Sequence, residues 1–473
     1  MKKIVSLAFV SALLLSILFV TRFVTSVRAD SKTIYVDASN AGDQLEDGSL
    51  EHPFNKIKEG VDAASPGDTV FVRNGTYYEW YITLKDDLSL IGENKYNTII
   101  DGRQLGWILR IVYVHNVTVT GFTIRESSIG TAGILLAHST KNNISNNIVK
   151  GHDTGIYSVF SNSNVIEGNR VSDSYAGIIL SSVCKENKVS NNDVIGNTRG
   201  IDLSNYAHRN EVVNNRIVQN TYGISISLDG NSIFDNQIIN NDVGIYEDLE
   251  PGPAQGYRVF HNNFKNNTLK VVLENSSINA WDNGLEGNYW SDYDGTDIDQ
   301  DGIGDTSYVI NQNNKDNHPL MGMFSDFPVA WEEETYHVTT ICNSTISAFQ
   351  FDKVNKTIMF NVTGEDETLG FCRIRIPKAL TNYTSYTVLV DGVEPLMQKE
   401  LPCSNSTHKY LYFTYLHSTH EVTILEAPPS PSFWVQGWFW AIIAVIGAGI
   451  ALAAAVFFLR KRKPATPTAP PLP

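Results

Sequence analysis

Short runs of alternating apolar and polar residues, roughly three to five long, recur through the middle of the chain and are separated by Asn, Gly, Asp and Ser. The apolar members are mostly β-branched, which suits a pleated, half-buried surface, and the separators favour turns. The runs fall into columns. Asn147, Asn169, Asn192, Asn215, Asn236 and Asn262 stand roughly 21 to 26 residues apart, a period expected of a solenoid. Two positions after each Asn lies Val149, Val171, Val194, Ile217, Ile238 or Phe264; three positions before lies Ile144, Ile166, Val189, Val212, Ile233 or Val259. A third column reads Gly-Ile at 133–134, 155–156, 177–178, 200–201, 223–224 and 244–245. Three columns imply three short strands per coil, and the pattern predicts a parallel β-helix. A leucine-rich repeat has a similar period, but the leucine consensus and the helical segment are missing. Stacking coils at about 4.8 Å superposes like side chains, so the Asn column becomes a ladder of amide bonds. No coil buries its own apolar face, so the stack folds as a unit.

Residues before the repeat read as its opening, with strands expected at 33–36, 69–72, 81–84 and 88–91 and a short capping helix at 57–64. The stretch Asp47-Gly48-Ser49, Pro53-Phe54, Ala63-Ala64, Pro66-Gly67-Asp68-Thr69-Val70, Gly75-Thr76-Tyr77 and Thr98-Ile99-Ile100-Asp101-Gly102 resembles the N-terminal region of pectin-lyase-like right-handed β-helix proteins. The coils that follow resemble NosD-type repeats of that superfamily, which occur in many archaeal surface proteins. The resemblance covers about Thr33 to Met323 and implies an all-β, right-handed parallel β-helix, whose domain is expected over 30–325. It says little about activity, because function resides in sites carried by a fold.

The repeat closes at Gly287-Asn288-Tyr289-Trp290 and runs into an Asp-rich loop. Carboxylates at alternate positions followed by Gly302 place Asp297, Asp299, Asp301 and Asp305, with the Ile303 carbonyl, around one hard cation, calcium. The spacing follows the first nine positions of an EF-hand loop. At the twelfth, Tyr308 replaces the bidentate Glu, leaving Asp292 or Asp294 to complete the shell. The bland alternative is a solvated acidic turn; a bound ion here would be structural.

Strands expected at 346–351, 356–362, 371–376, 387–390, 409–415 and 420–424 predict a small β-sandwich over 326–426. Through Gly370-Phe371-Cys372, Ile376-Pro377 and Tyr412-Phe413-Thr414-Tyr415 it resembles membrane-proximal modules of archaeal surface proteins. A Pro/Ser stalk (427–432), a transmembrane helix (433–459) bordered by tryptophans and a basic cluster, and a cytoplasmic tail (460–473) complete the expected plan. Residues 1–29 read as a signal peptide. The ectodomain is therefore expected outside the cell and the C-terminus inside. Sequons at Asn74, Asn116, Asn143, Asn275, Asn343, Asn355, Asn361, Asn382 and Asn405 suit a surface glycoprotein. Of the four cysteines, Cys342, Cys372 and Cys403 lie in the sandwich, where export permits one disulfide among undetermined partners.

A net charge of -15 argues against a nucleic-acid partner, which needs clustered Lys and Arg. The expected partner is a polysaccharide or surface glycan. The column after Gly-Ile reads Tyr157, Ile179, Asp202, Ser225, Tyr246, and its tyrosines are candidates for stacking sugar rings, with Tyr175 and Tyr222 at the groove border. The alternative is tyrosines half-buried under a loop. For hydrolysis, Asp153, Asp173 and Asp202 are the nearest carboxylates, with His152 and Arg199 as helpers, but they occupy different columns. A lyase would need a basic residue flanked by clustered carboxylates, and Lys150, Lys185 and Lys188 are scattered. The NosD resemblance raises copper, yet His115, His138, His152, His208 and His261 share no column and Met is sparse, so copper is not expected. The preferred reading is a non-catalytic, membrane-anchored glycan-binding or adhesive protein. A polysaccharide hydrolase or lyase and a structural envelope protein remain alternatives.

Overall fold

A computed structural model describes residues 31–427, apart from 228–229, 248–255, 274–277 and 382. The signal peptide, most of the stalk, the transmembrane helix, the tail and the sequons at Asn275 and Asn382 lie outside the described residues. Among the described residues no helix is long and apolar enough to cross a membrane.

The first part is a right-handed parallel β-helix of three sheets with ten, nine and ten strands. The first sheet carries strands such as Val165–Glu167 and Lys188–Ser190, the second Arg170–Ser172 and Asp193–Ile195, and the third Ala176–Ser181 and Arg199–Leu203. Register follows the sequence columns: Ile144 pairs with Ile166, Val149 with Val171, and Ile156 with Ile178. All of these side chains are buried. The Gly of each Gly-Ile pair marks a tight approach between coils. A Cβ on Gly155 would sit 2.6 Å from the Gly177 carbonyl, and one on Gly177 2.6 Å from that of Gly200.

The expected Asn ladder is present between the first and second sheets, and two more run beside it. In the expected one, the backbone N–H of Asn169 donates to Asn192 Oδ1 (2.9 Å), and Asn169 Nδ2 donates to the same oxygen and to the Ile144 carbonyl. A second ladder, Asn142, Asn164, Asn187, Asn210 and Asn231, lines the corner between the third and first sheets. The third corner is mixed: Ser127, His152, Ser174, Asn197, Asn220, Asn241 and Asn267 succeed one another.

His152 therefore occupies a ladder position. Its Nδ1 accepts from the Ser127 N–H and its Nε2–H donates to the Ile124 carbonyl. Burial pulls this imidazole down to about 4, against the Ile124 hydrogen bond and the nearby Glu126 charge. The folded value is below the unfolded value near 6.5, so the unfolded chain takes up the proton first. Its contribution to stability is intact above about pH 6.5 and is lost as pH falls towards 4, by about 3 kcal/mol at the limit. The stability of His152→Asn, which keeps a ladder side chain, should fall less steeply over that window; equal slopes for variant and wild type would contradict this.

The ends of the solenoid are closed. Helix Ile57–Ala63 buries Ile57, Gly60 and Val61 over the first coil. At the other end Trp290 lies between Phe264 and Tyr308, both stacked at 4.3 Å. The expected ladder ends on Asp316, which accepts from the Asn288 N–H and from Trp290 Nε1. Burial raises the Asp316 carboxyl to about 6, against the three N–H groups it accepts from, those of Asn288, Trp290 and His318.

The second part is a sandwich of a five-stranded and a four-stranded antiparallel sheet. All six expected strands are present. Three more belong to the five-stranded sheet: Met323–Trp331, Glu334–Cys342 and Met397–Glu400. Met323–Trp331 is an edge strand, where Pro328 costs no ladder bond. The two parts share a small apolar cluster of Ile303, Leu320, Phe324, Ile341, Phe371, Leu401 and Tyr412. A buried polar chain crosses the same junction: Asp235 to His261 (3.2 Å), His261 to Glu286 (2.9 Å), and Arg373 to both Glu286 and the Asp301 carbonyl (2.9 Å).

Candidate functional site

The outward column of the third sheet runs Leu135, Tyr157, Ile179, Asp202, Ser225, Tyr246 in unbroken register. Tyr157 and Tyr246 are half-buried, and so is Tyr222, whereas Tyr175 is 56% exposed. Tyr222 and Tyr246 lie with ring centres 4.9 Å apart, tilted by 48°. Tyr157 is stacked with Trp107, which the repeat pattern did not single out, at 6.4 Å and 15°. Trp107 to Tyr246 spans six coil rises, about 29 Å at ~4.8 Å each.

Trp107 belongs to an insertion. The connection from the second to the third sheet is 151–153, 173–175 and 196–198 in successive coils, but 102–108 and 126–131 in the two coils before them. The longer loops carry exposed Leu105 and Ile129. Insertions on one side of a solenoid commonly build its binding face. The corner that follows the third sheet carries a second aromatic row, Tyr113, His138 and Phe160, stacked at 4.7 and 4.9 Å. All three have positive φ, a conformation that bulky residues rarely adopt.

Of the three candidate carboxylates, Asp153 and Asp173 lie on the same corner of adjacent coils, and Asp202 lies apart from them on the strand face. Asp153 sits half-buried on the corner before strand Thr154–Val159. Asp173 is exposed on that corner of the next coil, where it accepts from the Ser172 hydroxyl at 2.8 Å. Asp202 lies on the strand face, ion-paired to Arg199 at 2.8 Å. Asp153 and Asp202 are two coils apart, about 10 Å along the axis before their lateral offset is added. Paired hydrolytic carboxylates need a total separation of about 5 to 10 Å. Of the proposed helpers, His152 is buried in its ladder and Arg199 is held by Asp202.

In the Asp-rich loop, Asp297, Asp299 and Asp301 converge, with one carboxylate oxygen of each within 4.8 Å of the others. Asp297 accepts from the N–H groups of Asp301 and Gly302, and Asp301 from that of Ile303. Burial, with the neighbouring carboxylates, raises the Asp297 and Asp301 carboxyls against these hydrogen bonds and the Arg373 charge. Asp305 is turned to a different task, accepting from the Ile298 N–H at 2.7 Å. Asp292 pairs with Lys270 at 3.1 Å. The loop is held against the sandwich by Arg373 and by Lys399, which donates to the Asp299 carbonyl.

Residues 61–295 match the family model described as periplasmic copper-binding protein (NosD). The chain is 37% identical over 83 residues to a probable ABC transporter binding protein NosD of Pseudomonas aeruginosa, covering 18% of this chain and 19% of that protein. A protein of the same description from Stutzerimonas stutzeri is 36% identical over 83 residues, 18% of each chain. The match thus spans about a fifth of the length of these curated relatives. Among solved structures, XylC in complex with xylose is similar with a TM-score of 0.42 and 12% identity, covering 50% of this chain and 66% of that one. For pectate lyase Pel9A the values are 0.40, 14%, 58% and 86%, and for an alginate lyase from Paenibacillus sp. 0.41, 15%, 55% and 93%.

Proposed function

Taking residues 61–295 as a NosD-type parallel β-helix, we propose that this protein binds an uncharged polysaccharide along the outer face of its third sheet, without cleaving it. The observation that carries the proposal is the aromatic strip Trp107, Tyr157, Tyr175, Tyr222 and Tyr246, flanked on its N-terminal half by inserted loops. Rings at such positions stack on the apolar faces of sugars. Two cations near the face are already paired with carboxylates, Arg199 with Asp202 and Lys270 with Asp292, which lessens its pull on polyanions. The overall charge of -15 acts in the same direction. Asp202, the one candidate carboxylate on the aromatic face, is paired with Arg199 and has neither Asp153 nor Asp173 beside it on that face, which favours binding over hydrolysis there.

In this reading the sandwich and stalk carry the solenoid on a transmembrane helix at 433–459, with the binding face outside the cell. Tyr157→Ala is expected to weaken binding of a neutral glucan, mannan or xylan at least tenfold in calorimetric titration, while Asp173→Ala changes it less than twofold. Unaltered affinity in Tyr157→Ala would sink the assignment of the face.

We also propose that Asp297, Asp299 and Asp301 hold calcium as a structural ion. These are hard oxygen donors, whereas copper favours His, Met and Cys, so the family description does not extend to this loop. Calcium at a hundredfold excess over its Kd should add about 2.7 kcal/mol to the stability of the ectodomain. Asp299→Ala should abolish that gain yet melt like the wild type in chelator; a wild type that melts identically with calcium and with chelator would reject the ion.

A further inference from the structure

Cys342 and Cys372 face one another across the antiparallel pair Glu334–Cys342 and Leu369–Pro377. Both side chains point into the sandwich core, 1% and 0% exposed, and both are thiols in the structure. Directly opposed residues on such strands have Cα atoms about 4.5 to 5.5 Å apart, inside the span a disulfide bridges. The other two thiols are elsewhere. Cys184 is buried in the solenoid core, and Cys403 is exposed beside the Arg373 guanidinium.

We propose that Cys342 and Cys372 are joined by a cross-strand disulfide in the mature protein, formed by exchange with a dithiol–disulfide oxidant of the exported compartment. Before the core closes, the thiolate of one of the two cysteines attacks the oxidant's S–S bond and releases one of its sulfurs as a thiolate. The other cysteine, deprotonated in turn, attacks the mixed disulfide and releases the second sulfur. The two cysteines lose two electrons and two protons, and the oxidant leaves as a dithiol. Full burial places this exchange before the core closes and shields the product from reductants afterwards.

The bond also has a mechanical consequence. Cys372 immediately precedes Arg373, whose side chain bonds Glu286 and the Asp301 carbonyl of the solenoid end. The disulfide ties that strand to its neighbour and so fixes the base of the interdomain contact.

The test uses the full chain secreted into an oxidising compartment, unfolded without reductant, alkylated and mapped by mass spectrometry. Two alkylated cysteines, Cys184 and Cys403, and a linked peptide pair containing Cys342 and Cys372 are expected. Four alkylated cysteines, or a link through Cys403, would overturn the proposal. In a second measurement, Cys342→Ala and Cys372→Ala should each lower the Tm of the sandwich by about 10 °C, and the double variant by no more. Losses that simply add would show two independent thiols and overturn it as well.

Discussion

Replacing Asn192 by Ala is expected to destabilise the solenoid by about 4 kcal/mol, far more than a surface substitution. Asn192 is 1% exposed and serves two neighbouring coils. Its Oδ1 accepts from the backbone N–H and the amide of Asn169, and its Nδ2 donates to the Ile166 carbonyl and to Asn215 Oδ1. Truncation orphans the buried Asn169 N–H and the Ile166 carbonyl at about 1 to 3 kcal/mol each, and water has no route to replace the lost partners. Because coils are stabilised chiefly by their neighbours, the defect weakens both sides of the break. Asn192→Asp should be at least as harmful, since an acceptor would replace the donor that faces Ile166 O. Denaturant unfolding checks this; a loss under 1 kcal/mol would mean that the ladder is decoration on a fold held by its apolar core.

Replacing Arg373 by Met should cost about 3 to 5 kcal/mol and loosen the sandwich from the solenoid. Arg373 is 5% exposed and reaches Glu286, which burial alone would raise; the His261 hydrogen bond and the Arg373 charge instead hold that carboxyl at about 2. Without the guanidinium, a buried carboxylate keeps only His261, and the Asp301 carbonyl loses its donor. The ties that remain include the shared apolar cluster, the Lys399 bond to the Asp299 carbonyl, and the Asn263 side chain, which bonds both the N–H and the carbonyl of Phe324. The expected result is a separate, earlier unfolding transition for the sandwich and faster proteolysis near residue 322. Glu286→Gln combined with Arg373→Met should recover part of the loss, because no buried charge is then stranded. A single unshifted transition in Arg373→Met would show that the joint does not depend on the guanidinium.

The coil period was legible because each coil repeats the same three requirements: an inward apolar residue, a turn-forming Asn and a Gly where the next carbonyl passes. The two further Asn ladders were equally present, five positions on either side of the first, in Asn187-x4-Asn192-x4-Asn197. They are hidden where Ser127, His152 and Ser174 interrupt the third column, and because Asn also reads as ordinary turn chemistry. The trio Asp297, Asp299, Asp301 followed from local spacing, whereas Asp305 lies outside the converging group and accepts from the Ile298 N–H. Trp107 escaped because its loop breaks the period. The junction was illegible for a different reason: Glu286 and Arg373 are 87 residues apart, and no periodicity records a pairing that tertiary packing creates. In the sandwich, the alternation was read correctly within strands, yet the edge strand Met323–Trp331 has one buried side for only part of its length and gave no clear period.

The central claim, that the third-sheet face binds an uncharged polysaccharide and leaves it intact, is tested most directly by light scattering of the full chain mixed with neutral and acidic polysaccharides in calcium. The account predicts a heavier complex with a neutral polymer, and a polymer of unchanged chain length once the protein is removed. Shortened chains, or a complex formed only with polyuronates, would contradict it.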